Sequence, residues 1–94
     1  MKKFIFLYGD KSGGAGVRED WMQWFASIGA SIVDNGNPFG DGREVTKSGA
    51  RDLAGDATPI TGYTIVRAES MEAAEKLLDG VPINGVRIYE ALPM

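Results

Sequence analysis

A chain of 94 residues, 44% hydrophobic and 24% charged, has room for one globular domain, which buries only about two-thirds of the surface its unfolded chain exposes. Cysteine and histidine are both absent, which excludes a disulfide framework, a thiolate nucleophile and imidazole as a base or metal ligand. The net charge of −3 comes with basic residues scattered among acids, so the phosphate-tracking surface of a nucleic-acid binder is not expected.

Lys2-Lys3 precede the apolar run Phe4-Ile5-Phe6-Leu7-Tyr8, which is too short for a signal-peptide core or a membrane span. The expectation is a cytoplasmic protein without a targeting segment or a membrane partner. Because that run is continuous and not alternating, it predicts a central strand covered on both faces. Asp10 to Gly16 is glycine-rich and predicts a mobile entrance loop, since it lacks the Gly-Lys-Ser/Thr ending of a phosphate loop. From Val17 the apolar positions Val17, Trp21, Trp24, Phe25 and Ile28 follow one helical face, and Gly29 offers a stop.

Ser31 to Asp34 predicts a short second strand, closed by the turn-forming cluster Asp34-Asn35-Gly36-Asn37-Pro38. Arg43 to Thr46 is a candidate third strand. Gly49 to Thr58 has little apolar content and is expected to be a loop over the rim.

The second half is patterned more strongly. Ile60 to Ala68 predicts a strand with Tyr63, Ile65 and Arg67 on one face and Thr64, Val66 and Ala68 on the other. Ser70 is placed as the N-cap of a helix whose apolar stripe is Met71, Ala74, Leu77 and Leu78, with Glu72 and Glu75 suited to its positive end. Gly80 supplies a left-handed stop and Pro82 blocks extension. Val86 to Leu92 predicts the last strand, with Arg87, Tyr89 and Ala91 on its more polar face.

This order gives an α+β class: a ferredoxin-like βαββαβ antiparallel sheet with both helices on one face, in a single domain over 1–94. Two helices cover one face only, yet the strands at Phe4–Tyr8 and Gly62–Ala68 are apolar on both. A homodimer closing over the second face is the expected solution.

The segments Met1 to Gly9, Trp24-Phe25, Ala30 to Pro38, Gly62 to Leu78 and Ile88 to Met94, taken in order and spacing, resemble the YCII-related (DGPF-like) family of small dimeric α+β proteins. The resemblance implies a dimeric α+β barrel. The Asp-Gly-Pro-Phe tetrapeptide that names one branch is missing, and Asp56-Ala57-Thr58-Pro59-Ile60 stands near its place. Some members carry a histidine on the first helix that pairs with an aspartate. Here that region reads Arg18-Glu19-Asp20-Trp21, so histidine-dependent chemistry is not inherited.

Asp34, at the end of an apolar strand, is the candidate catalytic base if partial burial raises its pKa; its plainer role is turn formation. Trp21 and Trp24, three apart on the first helix, are candidates to line an aromatic pocket with Tyr8. Core packing is the preferred role for Trp24 with Phe25, and Trp21 is the better ligand contact. Arg67, the lone charge in its strand, is a candidate carboxylate holder, with pairing to an acid across the dimer as the preferred alternative. Tyr63 is a candidate hydrogen-bond donor.

These residues point to a homodimer that binds a small aromatic or carboxylated molecule, with no cofactor expected. Three functions fit: a cofactor-free acid-base enzyme of isomerase or lyase type, with Asp34 as base and Tyr8 or Tyr63 as donor; a non-catalytic ligand-binding or regulatory dimer; and a cofactor-free oxygenase using Trp21 or Trp24.

Overall fold

The computed structural model describes residues 1–9, 18–54 and 59–94. In chain order the elements are β1 (Lys2–Tyr8), α1 (Arg18–Ser27), a 3-10 turn (Gly29–Ser31), β2 (Ile32–Asp34), β3 (Arg43–Thr46), β4 (Gly49–Asp52), β5 (Gly62–Ala68), α2 (Met71–Lys76) and β6 (Val86–Ala91). The main sheet has four antiparallel strands in the order β2-β5-β1-β6, and with two helices it is compatible with the ferredoxin-like arrangement. The glycine-rich segment 10–16, Val17 and the stretch Asp56-Ala57-Thr58 lie outside the described residues.

Alternation along the two central strands decides where the core sits. Phe4, Phe6 and Tyr8 of β1 and Thr64, Val66 and Ala68 of β5 are buried, while Ile5, Leu7, Tyr63 and Ile65 between them stay half-buried. Trp24 and Ile28 from the first helical segment and Ala74 from α2 join the buried set, so both helices lie on the Phe4 face. Fully burying side chains such as Phe4 and Phe6 contributes roughly 1.5 to 3 kcal/mol each. The opposite face carries Ile5, Leu7 and Ile65 in its middle and Arg67, Arg87 and Tyr89 around them.

Trp24 joins the two helical segments. Its indole Nε1 donates to the carbonyl of Leu77, at the C-cap of α2, over 2.9 Å. Ser70 caps α2 as its sequence predicts, accepting from the Ala73 amide at 3.1 Å, and Gly80 takes the left-handed conformation with φ of 81°. Met71 departs from the expected stripe: it is 41% exposed, whereas Ala73 and Ala74 of α2 and Leu77 and Leu78 just after it pack against the core.

Two readings of the middle of the chain are corrected. Arg43–Thr46 does form a strand, but it pairs with β4 in a separate two-stranded sheet and contributes nothing to the main one. Gly49–Asp52, expected as part of a loop, is that partner strand. All eight residues are exposed. Charge complementarity across the ladder stands in for burial: Arg43 Nε lies 3.2 Å from Asp52 and Arg51 Nε 2.7 Å from Glu44. Each such exposed pair is worth only about 0 to 1 kcal/mol.

The edge strand β2 carries a one-residue irregularity. Ile32 pairs with Val66, but Asp34 pairs with Ile65 where an uninterrupted ladder would reach Thr64. This extra residue turns Asp34 to the face away from the helices. The chain then crosses close over β5 at Gly36, whose φ is 79° and whose position leaves no room for a Cβ, which would collide with the Tyr63 carbonyl oxygen. Gly36→Ala is therefore expected to destabilise the chain by roughly 1 to 3 kcal/mol in urea unfolding. Gly40→Ala, where nothing crowds the position, serves as the control, and equal midpoints for the two variants would contradict the close crossing.

Candidate functional site

The turn after β2 forms one wall of a cavity. Asp34 accepts from the Gly36 amide at 2.9 Å through Oδ1, a short-range turn bond. Pro38 bridges to Gly62, the Phe39 amide donates to Thr61 at 2.8 Å, and the Thr61 amide donates to Tyr8 at 2.7 Å. These bonds hold residues 35–39 against the ends of β1 and β5. The first helix stands on the other side, and between them opens a cavity of about 630 Å3.

Tyr8, Trp21 and Phe25 provide its aromatic walls, with Pro38 and Ile83 as further apolar surface. Tyr8 and Trp21 meet edge to face with ring centroids 5.0 Å apart, and Trp21 lies 5.9 Å from both Trp24 and Phe25. Such aromatic pairs, edge-on for Tyr8–Trp21 and Trp21–Trp24 and tilted for Trp21–Phe25, are worth about 0.5 to 1.5 kcal/mol beyond their buried area. They also fix ring orientation, so the walls are set before any guest arrives. A volume in this range suits a small organic molecule.

Tyr8 and Trp21 thus line one cavity as the sequence predicts, and Trp24 does not. Trp24 is 3% exposed and packs 6.4 Å from Phe6 and 5.2 Å from Phe25, which is the core role preferred for it. Phe25, read as its core companion, packs against the core and also reaches the cavity. Tyr63 contributes to the lining, but its hydroxyl donates to Asp34 Oδ2 at 3.2 Å, and its ring stacks on Phe39 at 5.7 Å.

Asp34 itself is exposed. The partial burial expected for it is not found, because β2 is an edge strand and the irregularity turns the carboxylate outward. Arg67 is exposed too, on the same outer face and opposite Lys3 across the β1–β5 ladder. Neither Asp34 nor Arg67 lines the cavity.

The Tyr8 hydroxyl is engaged inside the fold. It donates to Thr64 Oγ1 at 2.7 Å, and Thr64 in turn donates to the Asn35 carbonyl at 2.9 Å. This relay ties β1 to β5 and to the turn, so Tyr8 offers the cavity its ring and not its proton. Thr64 is fully buried, and nothing in the sequence marks it, because a threonine in a strand is ordinary. Asn35 and Asn37 also line the cavity, with no signal in the sequence beyond ordinary turn chemistry. Among the described residues no three carboxylates gather as a metal site, and no helix is long and apolar enough to cross a membrane.

A second depression of about 930 Å3 lies where the β3–β4 hairpin meets the main body. Its Arg43 and Asp52 are paired with each other. It is a crease between elements, with Phe39 the one aromatic among its described lining residues.

Burial pushes the Tyr8 phenol up from 10.0 to about 12, against a smaller lowering by its bond to Thr64. The folded chain therefore holds this proton more tightly than the unfolded chain does. Its contribution to stability is fully present below about pH 10 and is lost as the pH rises towards 12. In thermal unfolding followed by circular dichroism, wild type should show a decline over that window that is absent from Tyr8→Phe, and the variant should be weaker by about 1 kcal/mol at neutral pH. Identical pH profiles would contradict the buried phenol.

No protein-family model matches this chain, and no curated protein matches it, so what the site does has to follow from its own geometry.

Proposed function

We propose that the chain is a small-molecule-binding protein that takes a flat, mainly apolar guest into the cavity between α1, the turn at 35–38 and the ends of β1 and β5. The observation that carries this reading is the combination of about 630 Å3 of space with preset walls from Tyr8, Trp21 and Phe25. A packing gap left by chance does not need a turn pinned by the Pro38–Gly62 bridge, the Phe39–Thr61 backbone bond, the Thr64–Asn35 bond and a glycine crossing; a built wall does.

The working form in this reading is a homodimer of the YCII-related, dimeric α+β barrel kind. Support comes from the outer sheet face, where Ile5, Leu7 and Ile65 are half-buried in the single chain and Tyr89 is 53% exposed beside them. The like-charged neighbours Lys3 and Arg67 on that face repel unless an acid meets them. A second copy would cover the apolar middle and bring carboxylates to those cations. Sedimentation should give a species of twice the 10.1 kDa chain mass, and a stable monomer at micromolar concentration would overturn this part.

A second, catalytic reading has one observation in its favour. The Tyr63 hydroxyl and the Asp34 carboxylate are hydrogen-bonded, the pairing that cofactor-free acid-base chemistry would use. Asp34 does not line the aromatic cavity, although Tyr63 does, so catalysis in that cavity would need a guest that reaches round the sheet edge to the carboxylate. Binding without turnover is the better-supported function, and a cofactor-free oxygenase has no comparable observation behind it.

The test is a thermal-shift screen against small phenols and aromatic acids. Wild type should be stabilised by some of these, Trp21→Ala should lose most of the effect, and Asp34→Asn should keep it. Loss in Asp34→Asn with retention in Trp21→Ala would move the site to the outer face.

A further inference from the structure

Among the described residues the cavity lining holds a single charge. Arg18, the first residue of α1, lines it together with Tyr8, Trp21 and Phe25, and among the described residues no acid contributes to the walls. Asn35, Asn37 and Thr61 add neutral polar groups. Among the described residues Arg18 forms no ion pair: the pairs there are Lys2–Glu90, Arg43–Asp52 and Arg51–Glu44. A free guanidinium at the edge of an aromatic pocket, in a chain whose net charge is −3, is the feature that the binding reading leaves unexplained.

We infer that the guest is an aromatic monoanion, a planar ring bearing one carboxylate, and that Arg18 is the residue that selects it. The inference rests on the proposed binding function and narrows it to a chemical class. The ring lies against Tyr8, Trp21 and Phe25. The carboxylate meets the Arg18 fork, which can give two parallel N–H donors to its two oxygens. The neighbouring acids Glu19 and Asp20 are exposed and do not line the cavity, so they leave the guanidinium available there. A dianion would be less suitable, since Arg18 is the one cation among the described lining residues. A neutral ring would bind through the walls alone.

The experiment compares phenylacetate with phenylacetamide, its neutral analogue of nearly equal shape, by tryptophan fluorescence on the full chain. Three proteins are used: wild type, Arg18→Gln and Arg18→Lys. Wild type is expected to bind phenylacetate at least tenfold more tightly than phenylacetamide, and the preference should weaken as salt rises. Arg18→Gln should lose the preference while keeping its affinity for phenylacetamide, and Arg18→Lys should keep part of it. Equal binding of the two probes by wild type, or a preference that survives in Arg18→Gln, would overturn the role of Arg18 and leave the binding function standing. Failure of both probes to bind wild type would overturn the two together.

Discussion

The hydrogen bond from the Trp24 indole to the Leu77 carbonyl, 53 residues apart in sequence, is the contact on which the functional geometry depends. An α-helix of 10 residues and one of 6 are each too short to be stable alone. They persist because they share a buried anchor. Trp24 lies among Phe6, Tyr8, Trp21 and Phe25, so the same side chain that ties α1 to α2 also sets the angle at which α1 presents Trp21, Phe25 and Arg18. An indole in this place satisfies a carbonyl at a helix end, which a phenylalanine of similar bulk would leave without its donor.

The sheet separates two kinds of surface. On the helix side, the relay from Tyr8 through Thr64 to Asn35 locks the turn against the strands and forms a wall. On the outer side, the register shift in β2 delivers Asp34 to Tyr63. A single extra residue in an edge strand thus decides that the carboxylate stands apart from the aromatic cavity. The division is local in cause and global in effect, since a shift of one residue exchanges the two faces of a strand.

Much of the fold is legible in the sequence where burial dictates it. The run Phe4 to Tyr8, the strand ending at Ala68 and the helix capped by Ser70 carry their periods and stop signals openly, and their ends move by only a residue or two. What hides is whatever depends on pairing across distance. β4 is Gly-Ala-Arg-Asp, with nothing β-branched to mark it, and it is a strand because its backbone pairs with β3, where Arg51 and Asp52 meet Glu44 and Arg43. Among the site residues, Tyr8 and Trp21 are legible from aromatic spacing. Arg18 is not: a charge at a helix start reads as solvated until the opposite wall is in view. Asp34 misleads for the opposite reason, since the end of an apolar strand implies partial burial unless the register is known.

The central claim is that guests enter the cavity on the helix side of the sheet. Chemical-shift mapping of backbone amides during titration with phenylacetate tests it most directly. The expected result is a cluster of perturbed residues around Trp21, Phe25, Gly36 and Ile83, with Ile5, Arg67 and Tyr89 on the outer face unmoved. Perturbations gathered on that outer face, with the aromatic walls silent, would contradict the account.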